Sequence, residues 1–179
     1  MHVIRHGLPL LIFILVIGFL WRGLGLKPDR IPSPLINHPA PTFSLPTLSD
    51  INILTSNKDL FGHVTLVNVW ATWCYACALE HDFLMELKDN SDFVIYGLNY
   101  KDDRIAAQKW LETNGNPYQI IATDINGNVG IDWGVYGTPE TFILDKKGII
   151  RYKHIGQLTP EIWETTLRPM IDKLQVETS

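Results

Sequence analysis

Apolar residues occur along this chain in two rhythms. Near the amino terminus they form one run, Gly7 to Trp21, without a charge. Further on they come as short β-branched runs separated by stretches with helical spacing. Val64 to Trp70 (VTLVNVW) and Phe93 to Leu98 (FVIYGL) have the nearly continuous apolar pattern of strands buried on both faces. Tyr118–Ala122 predicts a third such strand. Thr141–Leu144 and Ile149–Lys153 flank Asp145-Lys146-Lys147-Gly148, a hairpin turn with glycine in place. Phe43–Leu48 and Ile51–Leu54 predict an earlier pair of short strands around Ser49-Asp50. Helices are predicted from about Tyr75 to Lys88, from a cap at Asp102 or Asp103 to Glu112, and near Val129–Trp133. A last one runs from Thr159-Pro160-Glu161, with proline at its first position, to about Leu174. The order β-β-β-α-β-α-β-α-β-β-α predicts an α/β sheet with one antiparallel part.

The amino-terminal run divides the chain into four parts: residues 1–6, an apolar anchor 7–26, a linker 27–41 and a folded domain 42–175. Fifteen uncharged residues are short for a span, which needs ~20. With Arg22 snorkelling, the stretch extends through Leu26 and reaches that length. A cleaved signal peptide needs small residues at its cut site, and Gly23-Leu24-Gly25 is a poor one. An uncleaved signal anchor, a single transmembrane helix, is therefore expected. Charge does not orient it, since Arg5 and the amino terminus face Arg22, Lys27 and Arg30. The linker holds five prolines (Pro28, Pro32, Pro34, Pro39, Pro41) and is expected to be a stiff, extended spacer.

Composition narrows the function classes. The 179 residues are 46% hydrophobic with six tryptophans, enough for a substantial core. From Ile31 onward, 11 basic residues stand against 18 acidic ones, a net −7. A surface of that sign argues against nucleic acid as a partner. The chain has two cysteines, Cys74 and Cys77. A bridge between them closes a loop too short to stabilise the fold much, so the pair points to chemistry.

Cys-x-x-Cys after a buried strand and at the start of a helix is a redox motif. Free N–H groups and the positive end of the helix dipole favour a thiolate at Cys74. Cys77, one turn in, is expected to be more buried and to stay protonated longer. Cys74 is thus the candidate nucleophile and Cys77 the resolving thiol. Other uses of the pair are weaker. Two cysteines with His81 make a poor zinc set, and haem attachment needs histidine where Ala78 stands. A metal or haem carrier and a peroxidase-like enzyme remain as alternatives, although Thr72 has the wrong spacing for the latter. On a helical wheel, Ala76, Leu79, Phe83, Leu84 and Leu87 form an apolar arc, and Glu80 projects into it. Burial raises a carboxyl pKa, so Glu80 is the candidate proton acceptor and donor for Cys77. Thr138-Pro139 precedes a strand, where a cis proline would open the preceding backbone to an extended peptide.

The run VNVWATWCYACALEH, then LNYKDD and GVYGTPETFILDKKGIIRYKHIG, resembles the cytochrome c maturation thioredoxins of the CcmG/DsbE family from about Pro39 to Leu174. The resemblance implies a thioredoxin-like fold with an added amino-terminal β-hairpin, anchored in a bacterial inner membrane with its domain in the periplasm and residues 1–6 in the cytoplasm. It implies a thiol:disulfide reductase needing no cofactor or metal beyond the Cys74–Cys77 disulfide. Its partners would be apocytochrome c, a haem-ligation thiol protein, and a membrane reductase of the DsbD or CcdA type. A general periplasmic reductase or oxidase is the nearest alternative. The resemblance also places a buried glutamate at Glu80, a cis proline at Pro139 and an acidic residue near the site at Glu140. Trp73, Tyr75, Thr138, Pro139 and Glu140 are accordingly expected to face substrate. Two departures stand out. Tyr75 replaces the family's usual proline, which bears on reduction potential. Asn68 stands where thioredoxin proper has a buried aspartate, leaving Glu80 as the remaining base.

Overall fold

The computed structural model describes residues 2–24, 33–89 and 92–177, in two units, Met1–Ile31 and Pro32–Ser179. Helix α1 (His2–Leu24) forms the first. Its large apolar side chains from Leu10 to Trp21 are exposed, consecutive positions that together cover every side of the helix. Among the described residues no helix is long and apolar enough to cross a membrane. The end of the expected anchor, Gly25 and Leu26, lies outside the described residues, as does the linker from Lys27 to Pro32.

Residues 33–41, expected to continue the spacer, instead pack within the second unit, against β7 and the core. Asn37 N–H donates to Ile150 O at 2.7 Å and Ala40 N–H to Gly148 O at 2.9 Å, while Leu35 and Ile36 pack on the core. Proline spacing signalled stiffness there, but the apolar pair Leu35-Ile36 is what holds the segment down. Strands β1 (Ser44–Pro46) and β2 (Leu54–Ser56) pair antiparallel, Ser44 opposite Ser56. The connection is longer than the Ser49-Asp50 turn expected. Thr47 Oγ1 accepts Asp50 N–H at 3.2 Å and donates to Asp50 O at 2.9 Å, closing a side-chain turn that delays the second strand.

The main sheet is built from β3 (Thr65–Trp70), β4 (Val94–Tyr100), β5 (Ile120–Asp124), β6 (Glu140–Leu144) and β7 (Ile150–Ile155), in the order β5-β4-β3-β6-β7. β3, β4 and β5 run parallel; β6 is antiparallel to β3 and to β7. The crossovers carry α2 (Tyr75–Leu87) and α3 (Arg104–Asn114), and α4 (Asn128–Asp132) precedes β6. Asp103 caps α3, its carboxylate accepting Ala106 N–H at 2.8 Å. The chain ends in α5 (Pro160–Ile162), a π-helical turn over Trp163–Leu167, and α6 (Arg168–Val176). Pro169 explains the π turn: it has no N–H for the carbonyl of Thr165, and the helix widens ahead of it.

Alternation along β3 divides two cores. Leu66 and Trp70 join Leu84 of α2 with Trp163 and Leu167 of the terminal helix. Val67 and Val69 face the other way, toward Trp133, Phe142 and Ile150. Register brings three loops to one sheet end, because Trp70 lies opposite Asn99 and Val69 opposite Glu140. The segment leaving β3, the one leaving β4, and Thr138-Pro139 entering β6 therefore meet there.

Candidate active site

Cys74 is the N-cap of α2, and its Sγ accepts the N–H of Cys77 at 3.1 Å. The two sulfurs are joined in a disulfide with the Cα atoms 5.3 Å apart. The expected contrast in burial is absent, since Cys74 is 6% exposed and Cys77 5%. One turn of helix packs both against the sheet, and the asymmetry lies in the backbone. Sγ of Cys74 accepts one of the free N–H groups at the helix start, that of Cys77, which is the arrangement that stabilises a thiolate. Trp73 and Tyr75 flank Cys74 at 58% and 79% exposure, a large aromatic surface beside the disulfide.

The approach to Cys74 is clamped from β4. The carboxylate of Asp102 accepts Thr72 N–H at 2.7 Å, Thr72 Oγ1–H at 2.6 Å, Asn99 Nδ2–H at 2.8 Å and Asp103 N–H at 2.9 Å. Trp73 Nε1 donates to Lys101 O at 3.0 Å, and Lys101 has a φ of +48°, which turns its backbone toward the loop. Asp102 was a candidate helix cap by sequence. The neighbouring Asp103 does the capping and frees Asp102 for the clamp.

Glu80 sits at the centre of the buried face of α2, with Cys77, His81 and Leu84, while Leu79 is exposed. The apolar arc is thus turned toward Glu80 from the wheel's expectation. Glu80 is 1% exposed. Its Oε1 accepts Asn68 Nδ2–H at 2.8 Å and its Oε2 accepts Leu158 N–H at 2.6 Å. Burial outweighs both hydrogen bonds and raises its pKa to about 7. No ion pair reaches it among the described residues. His81 turns away, Nε2 donating to Asn114 O at 3.2 Å against the Trp110 ring, and burial lowers its pKa.

The Thr138-Pro139 bond is cis, with Thr138 half-buried and Pro139 buried. Pro139 O accepts Gly156 N–H at 2.9 Å. Glu140, expected to face substrate, is fully buried on the sheet face opposite Glu80. Strand parity puts it with Phe142 and Leu144. Its Oε1 accepts Tyr136 N–H at 2.9 Å and its Oε2 lies 3.0 Å from Lys153 Nζ. Lys153 also donates to Gly134 O at 2.7 Å and lies 4.2 Å from the centre of the Tyr136 ring. The pair fastens the segment leading to the cis proline. Lys153 carried one usable signal, a charged residue on a strand of otherwise sheet-like spacing with a single glutamate on its partner. No group of three or more His, Cys, Asp or Glu side chains able to hold a metal occurs among the described residues.

A helix-capping cysteine pair can perform thiol–disulfide exchange, and known proteins similar to this chain agree. Residues 36–169 match the Redoxin family model. The chain is 47% identical over 167 residues to thiol:disulfide interchange protein DsbE of Pseudomonas aeruginosa, covering 93% of this chain and 92% of that protein. It is 41% identical over 181 residues to the protein of the same name in Escherichia coli (strain K12), covering 95% of each. Among solved structures, a DsbF homologue from Corynebacterium diphtheriae superposes with a TM-score of 0.65 at 22% identity, over 76% of this chain and 86% of that one. That likeness concerns the thioredoxin-like fold.

Proposed function

Because this chain belongs to the DsbE family of thiol:disulfide interchange proteins and is a thiol–disulfide oxidoreductase, we propose that it is the membrane-anchored reductase of cytochrome c maturation. The observation that carries the reading is Glu80, a buried carboxyl with no counter-charge among the described residues, one helical turn from Cys77. In the reduced protein, the Cys74 thiolate attacks a substrate disulfide and displaces one substrate sulfur. Cys77 then passes its proton to Glu80 and attacks Cys74, displacing the second substrate sulfur and closing the Cys74–Cys77 bond. Two electrons pass to the substrate, which leaves with two thiols after taking up two protons, the one held by Glu80 and one from solvent, where the Cys74 thiol released its own. Trp73 and Tyr75 provide the exposed surface against which substrate lies, and the Thr138-Pro139 backbone pairs with it in extended form.

The substrates in this reading are the haem-binding cysteines of apocytochrome c or a thiol protein of haem ligation. Electrons come back from a membrane reductase of the DsbD or CcdA type. The domain works in the periplasm of a bacterial cell, and the exposed apolar surface of α1 supports a role as its inner-membrane anchor. Cys77→Ser in the full chain tests the substrate. The variant is expected to accumulate a mixed disulfide with apocytochrome c or a haem-ligation protein. Adducts spread over unrelated periplasmic proteins, with none to these, would overturn the assignment in favour of a general reductase.

A further inference from the structure

We propose that Tyr118 is a positioning residue for Glu80, acting through the side-chain amide of Asn68. The inference rests on the reading of Glu80 as the proton acceptor of Cys77. Asn68 lies on β3 with no exposed surface, and every polar edge of its amide is engaged. Nδ2 donates to Glu80 Oε1 at 2.8 Å and to Thr141 Oγ1 at 3.2 Å. Oδ1 accepts the hydroxyl of Tyr118 at 2.8 Å. An amide turned by 180° would present its oxygen to the carboxylate and repel it. The hydroxyl of Tyr118 opposes that turn, because it gives Oδ1 a buried donor and a phenol donates better than it accepts.

Tyr118 is built to stay there. Its ring stacks on Trp70 with centroids 5.4 Å apart. A Cβ at Gly97 on β4 would lie 3.0 Å from the Tyr118 ring, so glycine at that position lets the ring close on the sheet. Full burial and the nearby Glu80 raise the Tyr118 pKa well above 10, which keeps the donated proton in place. Glu80 is met by Asn68 on β3 and by the Leu158 N–H ahead of α5, with Cys77 one turn away on its own helix and with Thr141 on β6 and Tyr118 behind Asn68. Of these, Cys77 and Tyr118 titrate. In the oxidised protein Cys77 has no proton, so the carboxyl can be followed alone.

The test uses the full-length oxidised chain carrying carboxyl-labelled glutamate, titrated by NMR. The Glu80 signal is assigned by its loss in Glu80→Gln. Tyr118→Phe keeps the ring stack and removes only the donor, leaving the amide free to turn. Its Glu80 midpoint is expected to rise by roughly one pH unit, the size of a weakened hydrogen bond to a charged group. An unchanged midpoint overturns the inference. If Tyr118→Phe does not fold, the Asn68 side-chain amide protons of the unmodified protein serve instead. They are expected to shift with the Glu80 midpoint, and signals that stay flat through it overturn the inference equally. If instead no glutamate with a raised midpoint disappears in Glu80→Gln, the reading of Glu80 itself fails, a result distinct from either.

Discussion

Replacing Glu80 by glutamine in the oxidised protein isolates what burial of this carboxyl does to stability. Its pKa is about 7 in the folded chain against an ordinary value of 4.5. Between those two values the folded state keeps a proton that the unfolded state has released. Stability therefore declines as pH rises through that window, and the decline is complete above about 7. At ~1.4 kcal/mol per pH unit, the gap between 4.5 and about 7 corresponds to about 3 kcal/mol. Glutamine carries no charge at any pH and does not undergo the decline. It brings a pH-independent offset of its own, since its amide N–H2 must face either Asn68 Nδ2 or the Leu158 N–H, both donors. The informative quantity is the change in that difference between pH 4 and pH 8. Urea unfolding of both oxidised proteins at the two pH values measures it, and Glu80→Gln is expected to gain about 3 kcal/mol on the unmodified chain from low to high pH. A difference that is the same at pH 4 and pH 8 would refute the argument that Glu80 is ionised against its burial.

Two further variants probe the loops that meet at the disulfide. Asp102→Ala removes the acceptor that engages Thr72 twice and is expected to cost about 3 kcal/mol. Hydrogen exchange should find the Thr72 amide unprotected in it, and retained protection would mean that another group holds the loop. Lys153→Met leaves Glu140 buried without its counter-charge and is expected to lose about 3–5 kcal/mol in urea unfolding. Adding Glu140→Gln should recover most of that loss; a double variant no better than the single one would show that the lysine acts through packing alone.

The sheet and the position of Glu80 were legible because each depends on a local rhythm. Val64–Trp70 announces a doubly buried strand by its own residues, and three turns of helix after Cys74 are enough to place Glu80 inward. Glu140 was not legible in the same way. Whether it faces the substrate or the interior depends on its parity relative to β3 and on which residue of β7 lies beside it, and neither is local. Parity and pairing together bring it to Lys153, thirteen positions along the chain from it. The same holds for Asp102, whose partner Thr72 belongs to another loop, and for Leu35 and Ile36, whose stretch reads as a spacer until β7 is in place beneath it. The π turn at Trp163–Leu167 could have been read from Pro169, since a proline ten residues into a helix must disturb the turn before it.

The sheet also explains why two buried glutamates come to different ends. Glu140 has a lysine ammonium at 3.0 Å on its own face of the sheet, so its counter-charge is built into the fold and it fastens a loop. Glu80, on the other face, is met by neutral donors, an amide at 2.8 Å and a backbone N–H at 2.6 Å. Neutral donors soften the desolvation of an anion without cancelling it, which is why burial prevails there. A carboxyl left in that condition gains most from a proton, and in the proposed exchange Cys77, one helical turn away, is the group that supplies it. Had Lys153 lain on the α2 face, Glu80 would be a paired structural anion, as Glu140 is. The separation of the two carboxyls by a sheet one strand-layer thick is thus what pairs one with a lysine and leaves the other with a pKa raised by burial.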